Sequence, residues 1–170
     1  FDRIEAEGIR KGYVIDLRMD MAARHPRLVE KMARLGLKIA ITGFESPRSE
    51  ERERYRKNLD TSQLQEGLRV CHENGVKLRA NYVVPPEYGL DDFRALGEFA
   101  AAHSTAFAGY TILTPMPGTQ LHEQERARIV DRDLAKYNFF NCVMKTTLPL
   151  ERFYEEVGQL WTIRTGTEVI

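Results

Sequence analysis

The stretch "LVEKMARLGLKIAITGFES", Leu28 to Ser46, decides the fold. Its first part sets Leu28, Val29, Met32 and Leu35 on one face of a helix and stops at Gly36. Its second part, "KIAITGF" (Lys38 to Phe44), is an apolar run of β-forming residues. That strand ends on Glu45 and Ser46, with Pro47 behind them. A core rejects a carboxylate unless something polar waits for it. The strand tip is therefore either a capped loop start or part of a ligand site.

The same rhythm recurs along the chain. Further strands are expected at "YVIDLRM" (Tyr13 to Met19), "KLRANYVV" (Lys77 to Val84) and "AGYTILT" (Ala108 to Thr114). Between them, "TSQLQEGLRVCHENG" has Thr61 or Ser62 as N-cap, apolar Leu64, Leu68 and Cys71, and a stop at Gly75. "GLDDFRALGEFAAAH" supplies Phe93, Leu96 and Phe99, with Asp91 and Asp92 at the positive end of its dipole. "LGLK" and "NGVK" introduce two strands by one device, a helix-ending glycine followed by an apolar residue and lysine. Strands alternating with helices of this length imply right-handed βαβ units and a parallel sheet covered by helices. The fold class is α/β: about four parallel strands, half of a TIM-like (β/α) barrel or an open sheet, followed by a helical tail. In that tail, the aromatic-rich "KYNFFNCVMKTTLPL" reads as core, and "LERFYEEVGQLW" as a helix with Phe153, Val157, Leu160 and Trp161 on one face.

Twenty-five basic and 25 acidic residues among 170 cancel, so no field attracts nucleic acid. A 42% hydrophobic share argues for a globular domain, and no apolar run is long enough to span a bilayer. Cys71 and Cys142 lie far apart, and His25, His103 and His122 form no pair, so the chain reads as holding no metal site. Neither a dinucleotide nor a P-loop fingerprint is present. The start, "FDRIEAEGIRKG", lacks the features of a signal peptide, and the chain is expected to begin within something larger and to be cytoplasmic.

Parallel α/β folds place their chemistry at the carboxyl ends of the strands. Those ends offer Asp16, Arg18 and Asp20 of one parity; then Thr42, Glu45 and Ser46; then Arg79 and Asn81; then Thr114 and Pro115. Asp16 and Arg79 either fill a barrel interior as salt bridges or meet a ligand. Thr42 and Ser46 suit backbone capping. Together the set suits a ligand with an amino acid end and hydroxyls: guanidinium for carboxylate, carboxylate for ribose hydroxyls, amide for either.

In order, "RMD", "GFES" and "LTPMPGT" resemble the later part of a radical S-adenosylmethionine (SAM) domain, in the cobalamin-binding group of magnesium-protoporphyrin cyclases and hopanoid methylases. The resemblance covers Phe1 to Glu123, the carboxyl half of the barrel, with 124–170 as an aromatic-rich extension. The tail "YNFFNCVMKTTLPLERFYEEV" looks most like hopanoid C-3 methylases. The resemblance implies that Arg18, Asp20, Glu45, Ser46 and Asn81 line a SAM pocket, with Leu113 and Thr114 bordering the adenine. It implies a 4Fe-4S cluster, a 5′-deoxyadenosyl radical, a methyl group delivered by cobalamin to an unactivated carbon, and a small-molecule or lipid substrate. With a lipid substrate, the location would be membrane-peripheral.

The sequence departs from that pattern. The cluster-binding C-x-x-x-C-x-x-C and the G-G-E segment are absent, "VVPPEYG" replaces a glycine-rich turn, and "KNLDTS" replaces K-G-x-T. The expected partner is therefore an N-terminal part of the same protein. The chain alone would be inactive and would self-associate through its unpaired strands. Two other readings stand: half of a TIM-barrel lyase or aldolase for an organic acid, and a non-catalytic α/β assembly module. The lyase needs a lysine at a strand's carboxyl end, whereas Lys38 and Lys77 sit at strand starts.

Overall fold

The computed structural model describes residues 1–46, 61–103 and 105–163, without the side chains of Glu45 and Thr61. The expectations for the Glu45 carboxylate, for a Thr61 cap, for Pro47 and for the 57–60 part of "KNLDTS" lie outside the described residues.

In chain order the elements are α1 (Asp2–Ala6), β1 (Tyr13–Asp16), α2 (Met19–Arg24), α3 (Pro26–Arg34), β2 (Leu37–Glu45) and α4 (Thr61–Glu73). Then follow β3 (Lys77–Val84), α5 (Leu90–Ala102), β4 (Phe107–Ile112), α6 (Gln120–Glu125), 3-10 turns at Arg126–Arg128 and Leu134–Lys136, and α7 (Leu150–Leu160). The four strands form one sheet in the order β1-β2-β3-β4, every neighbouring pair parallel. The expected α/β class holds; among the described residues the sheet stays open, with β1 and β4 as its edges.

Burial splits the sheet by parity. Along β3, Leu78, Ala80, Tyr82 and Val84 are buried, while Lys77 and Arg79 are exposed. The buried set packs with Ala40, Phe44, Tyr110 and Ile112 against Met19, Val29, Met32, Val70, Phe93 and Leu96 from the helices. The tail adds Cys142, Phe153 and Leu160 to that cluster and forms a second one from Ile129, Tyr137, Val143 and Met144. Both helix-ending glycines act as expected. Gly36 has φ +114°, and a Cβ there would sit 2.0 Å from the Lys11 carbonyl oxygen; Gly75 has φ +67°.

Four expectations need correction. β1 ends at Asp16, because Arg18 (φ −78°, ψ 135°) is the N-cap residue of α2; Asp20 is therefore helical and does not share a strand parity with Asp16. Leu28 is 45% exposed, because the buried stripe of α3 runs through Val29 and Met32, and the preceding residue is turned away by about 100°. Trp161 lies in the turn after α7 and stays half-exposed, edge-on to Tyr110 at 5.6 Å, while Glu156 takes the buried place on the helix. Ser62 falls within the first turn of α4, so it does not cap that helix.

Candidate functional site

The sheet face opposite the helices is open: Val14 is 57% exposed, and Asp16, Arg79 and Phe107 are exposed too. Register lays its residues out in rows. Asp16, Ile41, Arg79 and Phe107 form one row, and Gly43, Asn81 and Gly109 form the next towards the carboxyl ends. Asn81 thus stands between two glycines. A Cβ on Gly109 would lie 2.7 Å from Asn81 Oδ1, 3.2 Å from Arg79 Nη2 and 3.4 Å from Arg79 Nε. The missing side chain gives Asn81 and Arg79 room to lie across β4. Gly109 is thereby buried beneath these two side chains. Among the described residues neither Asp16 nor Arg79 is in an ion pair, so the salt-bridge filling of this face is not formed. A half-buried amide beside a guanidinium that is in no ion pair among the described residues can take a carboxylate or a hydroxyl.

The remaining expected residues sit at the strand tips. Asp20 is buried between two arginines: Arg18 donates Nε to Oδ1 at 2.9 Å and Nη2 to Oδ2 at 3.2 Å, and Arg24 donates Nη2 to Oδ2 at 2.6 Å. Hydrogen bonds from Arg18, then its charge and Arg24, hold the Asp20 carboxyl below the usual carboxylate range, with burial opposing them. The Arg18 side chain is 61% exposed and reaches outward from this clamp. Ser46 has no exposed surface, and its hydroxyl lies 3.5 Å from that of Tyr88. Leu113 is half-buried and donates its N–H to the Val84 carbonyl; Thr114 is buried and donates its hydroxyl to the Ile112 carbonyl at 3.0 Å. Ser46 and Thr114 are thus sealed within the tips, whereas Arg18 and Asn81 remain reachable.

Sequence reading passed over three features. Gly43 and Gly109 were legible as glycines inside strands, a sign of close backbone approach. The tail holds the proline-bearing loop: Thr147 donates its N–H to the Pro86 carbonyl and its hydroxyl to that of Glu87, and Arg128 bridges Glu87 and Glu125. Behind the sheet, Tyr82 and Tyr110 stack at 5.4 Å, and their hydroxyls have no hydrogen-bond partner among the described residues. Burial pushes both phenols up, Tyr110 to about 12, and keeps them protonated.

Among the described residues no group of three His, Cys, Asp or Glu side chains could hold a metal ion. Cys71 and Cys142 are both buried, and burial raises the Cys71 thiol to about 11. These residues do not fit a 4Fe-4S cluster. The Asn81 amide and the Arg79 and Arg18 guanidiniums are of the types that an amino acid end and ribose hydroxyls, as in SAM, would take. Lys38 and Lys77 are exposed at the starts of β2 and β3, remote from where a Schiff-base lysine would act. No described helix is long and apolar enough to cross a membrane.

No family model matches the sequence. Over 156 residues the chain is 25% identical to hopanoid C-3 methylase of Methylococcus capsulatus, covering 92% of this chain and 30% of that protein. Over 149 residues it is 26% identical to bacteriochlorophyllide d C-8(2)-methyltransferase of Chlorobaculum tepidum, covering 85% of this chain and 32% of that protein. The chain thus spans about a third of the length of these curated relatives. Its fold resembles the cobalamin-dependent S-adenosylmethionine radical enzyme OxsB with aqua-cobalamin bound: TM-score 0.52 at 13% identity, over 96% of this chain and 25% of that one. OxsB with aqua-cobalamin and S-adenosylmethionine bound matches with TM-score 0.52 at 12% identity, over the same shares of the two chains. The chain is thus similar in sequence to two methyl-transferring enzymes and similar in fold to a cobalamin-dependent SAM radical enzyme.

Proposed function

We propose that this chain is the SAM-orienting part of a cobalamin-dependent radical SAM methyltransferase acting on an unactivated carbon. The observation that carries the reading is the Gly43–Asn81–Gly109 row, where the Asn81 amide and the Arg79 guanidinium lie across a glycine on the exposed sheet face. When bound, SAM supplies a methyl group and an adenosyl fragment. In this reading the Asn81 amide bonds the ligand on that face. Arg18 grips its carboxylate, and Asp20 positions Arg18 through the paired hydrogen bonds. Leu113 borders the adenine, while Ser46 and Thr114 hold the tips from within. Glu45, at the end of β2, is proposed as the acceptor for the ribose hydroxyls or the amino group.

The cluster, and the site for cobalamin, are proposed to come from elsewhere in the protein. The chain by itself is therefore proposed to be inactive. The two relatives' names give different acceptors, so likeness to hopanoid C-3 methylase supports a hopanoid acceptor no more strongly than a bacteriochlorophyllide one supports the other.

The test uses the full-length protein, purified without oxygen and assayed for iron, SAM binding by equilibrium dialysis, and 5′-deoxyadenosine under reductant. Binding and nucleoside formation are expected, with SAM bound about 5- to 30-fold more weakly by N81A, the loss of one or two hydrogen bonds. A folded protein that binds no SAM, or an N81A variant that binds it unchanged, would overturn the assignment.

A further inference from the structure

The segment following β4 forms an open cavity of about 350 Å³, within the size range of small-ligand sites. Its floor is apolar: Ile129 and Tyr137 belong to the tail's own buried cluster, and Pro117 of the "LTPMPGT" loop forms a wall. Two arginines, Arg126 and Arg132, line it as well, and among the described residues neither is in an ion pair. His122, largely buried, adds a third nitrogen-bearing side chain.

The carboxylates nearby do not neutralise this charge. Asp131 is taken by Lys136 and by the Asp133 N–H, and Asp133 accepts from the Ala135 N–H. Of the lining residues only Glu123 is acidic, and it lies 3.5 Å from His122. At the rim Leu134 leaves 70% of its surface in water. Arg126 and Arg132 are both exposed, so their guanidiniums can reach a ligand at the mouth of the recess beside its apolar floor. They match a ligand that has one anionic end and one apolar body.

We propose that this cavity binds an oxyanion, a carboxylate or a phosphate monoester, borne on a hydrocarbon or ring skeleton. Arg126 and Arg132 take the oxygens, while Ile129, Tyr137 and Leu134 cover the apolar part. If the methyl-transfer reading holds, the occupant is the methyl acceptor, and that clause alone rests on it; binding is testable without SAM.

The experiment is calorimetric titration of the full-length protein with octanoate, octyl phosphate and 1-octanol, for wild type, R126Q/R132Q and L134E. At least one anion is expected to bind about tenfold more tightly than octanol, and more weakly as salt rises. The double variant is expected to lose about tenfold for that anion while keeping its melting transition. Octanoate binding alone identifies a carboxylate ligand, octyl phosphate alone a phosphate. Should R126Q/R132Q lose its fold, L134E decides, because a carboxylate at the rim must repel the same probe. Octanol binding as tightly as both anions, no binding of any probe, or unchanged anion binding in a folded double variant would overturn the proposal. None of these results touches SAM binding, so a failure here stays separate from a failure of the proposed function.

Discussion

A side chain placed at Gly109 separates scaffold from site. In G109A the new Cβ would meet Asn81 Oδ1 at 2.7 Å and Arg79 Nη2 at 3.2 Å, both far ends of side chains rather than backbone. Asn81 must withdraw by several tenths of an ångström, and the sheet need not move. Replacing a strand glycine also gains about 0.5–1 kcal/mol of backbone entropy, so net stability should change by no more than about 1 kcal/mol. The displaced amide loses one or two neutral hydrogen bonds to the ligand, each worth about 1 kcal/mol. That corresponds to roughly 5- to 30-fold weaker SAM binding, with G109V at the upper end or beyond. The assay is equilibrium dialysis with labelled SAM on the full-length protein, beside urea denaturation of the same samples. A folded G109V that binds SAM as wild type does would refute the role proposed for the Asn81 amide. A loss of more than about 2 kcal/mol in G109A would show that the glycine serves the sheet instead.

Three further outcomes are expected. In G67A the added Cβ would lie 2.4 Å from the Met19 backbone oxygen, where α4 presses on α2, so overpacking of about 1–3 kcal/mol should outweigh the roughly 1 kcal/mol gained in helix propensity. Urea denaturation checks the sign, and a more stable variant would refute the close approach. The folded pKa of Asp20 is depressed below its unfolded value near 4, so its contribution is full above about pH 4 and fades as pH falls through the folded value. With Arg18 and Arg24 more than half exposed, D20N should cost only about 1–2 kcal/mol at pH 7 and flatten the acid limb of a stability profile; an unchanged limb would sink the clamp. Both thiols are buried and raised in pKa, so native protein at pH 8 should react with a disulfide reagent far more slowly at Cys71 and Cys142 than denatured protein, and C71A/C142A should leave the iron content of the full-length protein unchanged.

Helix and strand order was legible because the period changes from 3.6 to 2 at glycines that must adopt positive φ, Gly36 and Gly75. "KLRANYVV" carries its own parity, and burial along β3 follows it residue by residue. The error at Asp20 arose because "LRMD" looks equally apolar-alternating as a strand end and as a helix start. What decides is the extended backbone of Arg18, fixed by the packing of α2 on α4 rather than by local pattern. Asn81 was visible as a polar residue in a strand, but its setting was not. Whether Gly43 and Gly109 flank it depends on register across three strands, and register is a tertiary fact. The cavity within the 117–137 segment was invisible because its arginines and its apolar floor come together only when that segment turns on itself.

That folding back ties the tail to the chemistry. Its polar bonds do not fall at random: Thr147 and Arg128 hold the loop after β3, and the Phe139 carbonyl accepts from Ile112 N–H at the end of β4, at 2.7 Å. Phe139 takes φ +68° to make that contact, a conformation rare for a bulky residue. All three ties land at the carboxyl ends of strands, the ends where a parallel sheet collects its ligands. Each fixes backbone near the tips of β3 and β4. In the proposed reading, that ordering lowers the entropy cost of orienting a ligand beside Asn81 and Leu113. The helical face and the tail bury the sheet's apolar side, while the row Gly43–Asn81–Gly109 lies on its other face, where the proposed SAM contact would form.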